Sequence, residues 1–133
     1  MSLAARFAVG LVALEHLWFL ILEMFLFQKP AGLAAFHMSQ QTADTCGTLA
    51  MNQGLYNGFL AAGLLVSLIV RSLLLRRFTL GCVIVAGIFG AATLGDKTVF
   101  VGQSLPALLA LVLSELGDRA AHSHRPAGSV GGG

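Results

Sequence analysis

Apolar residues run almost unbroken through four stretches of this chain, Leu3 to Phe27, Leu49 to Val70, Phe78 to Gly95 and Thr98 to Leu116. A helix needs about 20 predominantly apolar residues to cross the hydrocarbon core of a bilayer, and each stretch comes near that length. Little of the 133-residue chain is left to build a soluble core. The mean hydropathy of +0.83, with 56% hydrophobic and 11% charged residues, also lies outside the range of ordinary soluble domains. The expected fold is therefore an all-α integral membrane four-helix bundle over residues 1–117. A tail over 118–133, rich in Gly and small residues and without apolar periodicity, is expected to be flexible and cytoplasmic. The first stretch is too long for a secretory signal and ends in "QKP" instead of a small-residue cleavage site, so it reads as a retained span.

Lys and Arg near span ends resist translocation and set orientation. With four spans, the two termini and the middle loop share one side, which carries Arg6, Arg71, Arg76, Arg77, Arg119 and Arg125 against Lys29 and Lys97 on the other. That asymmetry predicts a multi-pass protein of the cell membrane with both termini cytoplasmic, in contact with membrane lipid. The formal net charge of +2 is accounted for by this topology and gives no reason to propose nucleic-acid binding. Cys46 falls on the outer side and Cys82 one turn into the third span from the inner side, so a bilayer about 30 Å thick separates them. A disulfide is excluded on that reading; Cys82 is expected as a small apolar filler.

The buried polar groups are lopsided. At about 1.5 Å of rise per residue, Glu15 and His16 fall near the midplane and Glu23 about two turns nearer the outside. Asn52, Gln53, Tyr56 and Asn57 sit in the outer half of the second span, and Gln103 at the outer start of the fourth. His16 and Glu23 share one face of the first helix, while Gln53 stacks on Asn57 and Asn52 on Tyr56 at spacing four. Hydrocarbon cannot satisfy such groups, so all eight are expected to face the bundle interior or a wet cavity and to bind a ligand there.

Small residues at spacing four, Gly54, Gly58 and Ala62 in the second span and Gly87, Ala91 and Gly95 in the third, mark where helices can approach closely. They make the second and third helices near neighbours, or one stripe a homodimer seam. On this basis Gly58→Leu is expected to disturb assembly more than Ala13→Leu.

The segments "ALEHLWFLILEMFLF", "NQGLYNGFLAAGLL", "GCVIVAGIFGAAT" and "GQSLPALLALVL" together resemble the family of small four-helix membrane proteins known as domain of unknown function 1304, found in bacteria and fungi. The likeness runs from Leu3 to Leu113. It implies four helices and a membrane location, and it brings no biochemical function.

Three functions fit the residues. Ionisable side chains inside a span point to function, so the first is binding or transport of a small polar or amphipathic molecule in the outer polar pocket. The second is an accessory membrane subunit whose polar stripe meets a partner helix. The third is an intramembrane enzyme using His16 and Glu23 as general acid and base. No nucleophile motif, nucleotide loop or phosphate cradle is present, and no cofactor is implied. One His and one Glu seven residues apart make a weak metal signal, as do the two histidines of the tail, so no metal site is assigned.

Overall fold

The structure, a computed structural model, describes the backbone of residues 1–123 and the side chains of residues 1–120. It is all helical, with no strand among the described residues. Helix α1, Leu3–Ile21, starts at Ser2, whose hydroxyl accepts from the Ala5 amide at 3.2 Å. It continues without a break into a π-helical turn, Leu22–Leu26. Short helix α2, Pro30–Ala35, has proline in its first turn, where the missing N–H costs nothing. Ser39 then caps α3, Gln40–Ile69, by accepting from the Thr42 amide.

Arg71 takes a left-handed conformation, φ 54°, and the Ser72 amide bonds back to the Ser67 carbonyl, which closes α3 as a helix-ending turn of the kind glycine usually makes. Ser72 immediately caps α4, Leu73–Leu94. Gly95, φ 67°, ends α4, so the last residue of the expected small-residue stripe makes a turn and not a helix contact. The chain resumes through α5, Lys97–Val99, and a second π-helical turn, Phe100–Ser104, into α6, Leu105–Ser123. Pro106 cannot donate to the carbonyl one turn behind it, and the widened turn just before it is where such a gap is commonly absorbed.

The long helices alternate in direction, which leaves a terminal end bearing the N-terminus, the end of α6 and the α3–α4 turn, and a distal end bearing α2 and α5. The second helix begins earlier than its apolar run suggests: α3 has 30 residues, about 45 Å of helix, and its polar first turns occupy what the sequence offered as loop. Leu3–Leu26, Leu73–Leu94 and Lys97–Ala120 are each long and apolar enough to cross a membrane. The fourth, α3, has ample length but carries Asn52, Gln53, Tyr56 and Asn57 inside it.

Side-chain sorting is inverted relative to a soluble bundle. Phe7, Leu11, Leu14, Trp18, Ile21 and Phe25 recur every three or four residues along the outer face of α1 and are all exposed. The interior core is built from small groups, Val9, Val12, Ala13, Val83, Ala107 and Ala110, with Leu64 and Leu80. Contiguous apolar surface on this scale suits lipid and not water.

Close helix approach occurs at glycines, but across other seams than the spacing suggests. Gly54 and Gly58 lie against α1 and its π turn, meeting Met24 and Leu20, and it is Gly63 that meets Thr79 of α4. Ala62 is exposed. The comparison of Gly58→Leu with Ala13→Leu therefore reverses. A side chain at Gly58 meets only the flexible end of Leu20, whereas Ala13 is completely buried in the core. Overpacking at Ala13 is expected to cost about 1 to 3 kcal/mol and at Gly58 about 1 kcal/mol, read as thermal midpoints in detergent.

At the terminal end, Asp118 accepts from both the N-terminal amine, 3.2 Å away, and the buried Arg76, while Arg77 holds Glu115 with two parallel hydrogen bonds. Helix α6 continues past residue 117, where the bundle is expected to end, as far as Ser123. The rest of the expected tail, including His124 and Arg125, lies outside the described residues.

Candidate functional site

Between the distal halves of the long helices lies a cavity of about 600 Å³. Helix α1 and the π turn that continues it contribute Glu15, Phe19, Leu22 and Glu23, a single face at spacings of four, three and one. Eight residues of helix separate the two carboxylates, so the cavity extends about 12 Å along α1. Gln53 and Asn57 face it from α3, and Ala86, Gly90 and Leu94 from α4. Gly102 and Gln103 enter from the second π turn. Ala35 and Phe36 of the α2 segment, with Asp96 and Thr98, surround the distal mouth.

The two π-helical turns position the polar walls. The first carries Glu23 and presses against Gly54 of α3, where an added Cβ would stand 2.6 Å from Met24 Cγ and 3.0 Å from the Met24 backbone nitrogen. The second carries Gln103 and presses against Gly87 of α4; there Ser104, itself buried, donates to the Ile84 carbonyl at 3.0 Å. Each widened turn thus seats on a glycine of its neighbour and swings one polar side chain inward. Turns of this type recur at functional sites.

Inside the cavity the Asn57 amide donates to Glu23 Oε2 at 2.7 Å. Glu15 differs, because among the described residues its carboxylate accepts no hydrogen bond; it lies beside Gly102, where the missing side chain leaves open space. At the mouth, hydrogen bonds from Thr98 hold the Asp96 carboxyl below the usual carboxylate range, with its amide donating at 2.8 Å. Asp96 is fully exposed and stays ionised.

His16 stands behind the wall. Its Nδ1 is 2.8 Å from the Val12 carbonyl, which can only accept, so Nδ1 carries the proton and Nε2 accepts from the Gln103 amide 3.2 Å away. Phe19 packs edge-on at 5.6 Å. The histidine is fully buried with both ring nitrogens engaged, and no hydrogen bond joins it to Glu23 among the described residues. It steadies Gln103 and does not line the cavity.

Of the eight residues expected at a site, five line the cavity, Glu15, Glu23, Gln53, Asn57 and Gln103, and His16 reaches it through Gln103. Asn52 and Tyr56 do not; both are exposed on the outer surface of α3, Tyr56 against Phe59. Phe36 and Asp96 were not expected. Phe36 falls in a segment with no regular apolar pattern, whereas Asp96 follows a Gly and precedes Lys-Thr, a helix-cap signal that could have placed it.

The family described as "Protein of unknown function (DUF1304)" matches residues 10–114, a span that includes every residue lining the cavity. The chain belongs to that family. It is also similar to the uncharacterized protein YpaA of Lactococcus lactis subsp. lactis (strain IL1403), 32% identical over 108 residues that cover 78% of this chain and 90% of that one. No solved structure matches. Membership in the DUF1304 family agrees with the likeness seen in the sequence, and it leaves the activity to be argued from the cavity.

Proposed function

We propose that this chain is a multi-pass membrane protein that binds a small polar or amphipathic molecule in the cavity between its helices. The observation that carries the reading is the pair of π turns, which independently aim Glu23 and Gln103 into one space that Asn57 and Glu15 also face. Its volume falls within the roughly 300 to 1,000 Å³ of small-molecule sites. Access is from the distal end. Toward the terminal end the cavity stops at the packed core around Val9, Val12, Leu64, Leu80 and Val83, so passage across the membrane requires a second arrangement of the helices. Binding is the simpler function, and transport is its extension.

Native mass spectrometry of gently purified protein tests this. A small-molecule adduct at one per chain is expected for the wild type, and its loss in Gly102→Leu, which places a side chain in the open space beside Glu15. No adduct in either protein, or an equal one in both, counts against binding in this cavity.

The orientation proposed with it has both termini cytoplasmic and the cavity mouth outside. Its support is the excess of Arg at the terminal end. A membrane-impermeant thiol reagent applied to intact cells is expected to label Cys46, and a C-terminal tag is expected to stay protected. A tag accessible from outside reverses the assignment.

A further inference from the structure

We infer that the occupant of this cavity is an organic cation, an ammonium or amidinium carried on an apolar frame, with Glu15 as its counter-charge; the inference rests on the reading of the cavity as a binding site. The charges that line the space are Glu15, Glu23 and Asp96, and no Lys, Arg or His is among the lining residues. The described arginines Arg6, Arg71, Arg76, Arg77 and Arg119 stand at the terminal end, beyond the packed core; at the distal end Lys29, Lys97 and His37 stand outside the lining, His37 near enough to act on Asp96.

Carboxylates removed from water need hydrogen bonds or an opposite charge. Glu23 has the Asn57 amide and Asp96 has Thr98, but Glu15 accepts nothing. Inside the cavity an anion meets carboxyl groups as the charged lining. A neutral polar molecule can donate a hydrogen bond to Glu15, but it leaves a lining of three carboxyl groups with no positive charge among them. A bare metal ion finds no binding set, since no group of three or more His, Cys, Asp and Glu is close enough to hold one among the described residues. An organic cation supplies the missing charge, and its body meets Phe19, Leu22, Phe36, Leu94 and Val99. Phe19 and Phe36 are the aromatic members of that lining, and a cation placed over an aromatic ring gains further attraction.

The test compares three probes of one shape: 4-phenylbutyl-trimethylammonium, its neutral tert-butyl isostere and the corresponding sulfonate. Each is titrated by calorimetry against the full chain in lipid nanodiscs, with empty nanodiscs subtracted. The ammonium is expected to bind saturably, one per chain, at least about tenfold more tightly than the isostere, with no binding of the sulfonate. Glu15→Gln, which keeps size and shape, is expected to remove that tenfold preference while leaving the thermal midpoint in place. Equal affinity for ammonium and isostere, or preference for the sulfonate, overturns the cation assignment and leaves the binding site standing. Absence of saturable binding by any probe, with the native adduct also missing, removes the binding site and the cation with it. The wild-type charge series decides the matter even if Glu15→Gln does not fold.

Discussion

Asp118→Ala is expected to destabilise the bundle by about 3 to 5 kcal/mol, because removing one partner strands a buried charge. Arg76 is 2% exposed, it reaches the Asp118 carboxylate, and its Nε has no hydrogen-bond partner among the described residues. The same substitution also releases the N-terminal amine from its ion pair. A buried pair need not be worth much against apolar residues of similar volume, and this separates the cost of breaking the pair from its net value. The double variant Arg76→Met with Asp118→Leu is accordingly expected to recover most of the loss. Thermal midpoints of the single and double variants in one detergent check both statements. If Asp118→Ala leaves the midpoint unchanged, the terminal ends of the helices do not depend on the Arg76–Asp118 pair.

The same pair shows what a sequence can and cannot disclose. Arg76 and Asp118 lie 42 residues apart, and nothing local marks them as partners; charge counting treats Arg76 only as a signal of sidedness. The long apolar helices were legible because a bilayer imposes a length and an apolar composition that few other constraints mimic. Their polar face was legible only in part. Gln53 with Asn57 and Asn52 with Tyr56 form two stripes about 100° apart, and periodicity alone does not say which one meets α1.

Gly54 decides it. The side of α3 that lacks a side chain is the side the first π turn can approach, and Asn57, one turn onward, then falls opposite Glu23. Tyr56 is left outside, exposed beside Phe59. The π turns themselves left no signature beyond Pro106 after the second. Widened turns arise from packing between helices, so they belong to the tertiary structure and not to any window of sequence.

That dependence gives the last expected result, for Gly54→Leu. The first π turn sits on Gly54 so closely that a Cβ there meets the Met24 backbone and stands 3.1 Å from Glu23 Cβ. Backbone cannot rotate away as the Leu20 side chain can at Gly58, so the end of α1 must move off α3. The cost combines overpacking with the loss of the Glu23 to Asn57 hydrogen bond at a position where Asn57 is 5% exposed. Together these come to about 3 kcal/mol or more. Glu23→Gln is the matched control, because an amide oxygen still accepts from Asn57 and the packing is untouched; it is expected to keep the wild-type midpoint. Gly54→Ala should fall between, since one methyl already meets Met24 Cγ. A graded fall from Gly to Ala to Leu, with Glu23→Gln unchanged, ties the geometry of the cavity wall to this glycine. Wild-type stability in Gly54→Leu would mean that the wall does not depend on that contact.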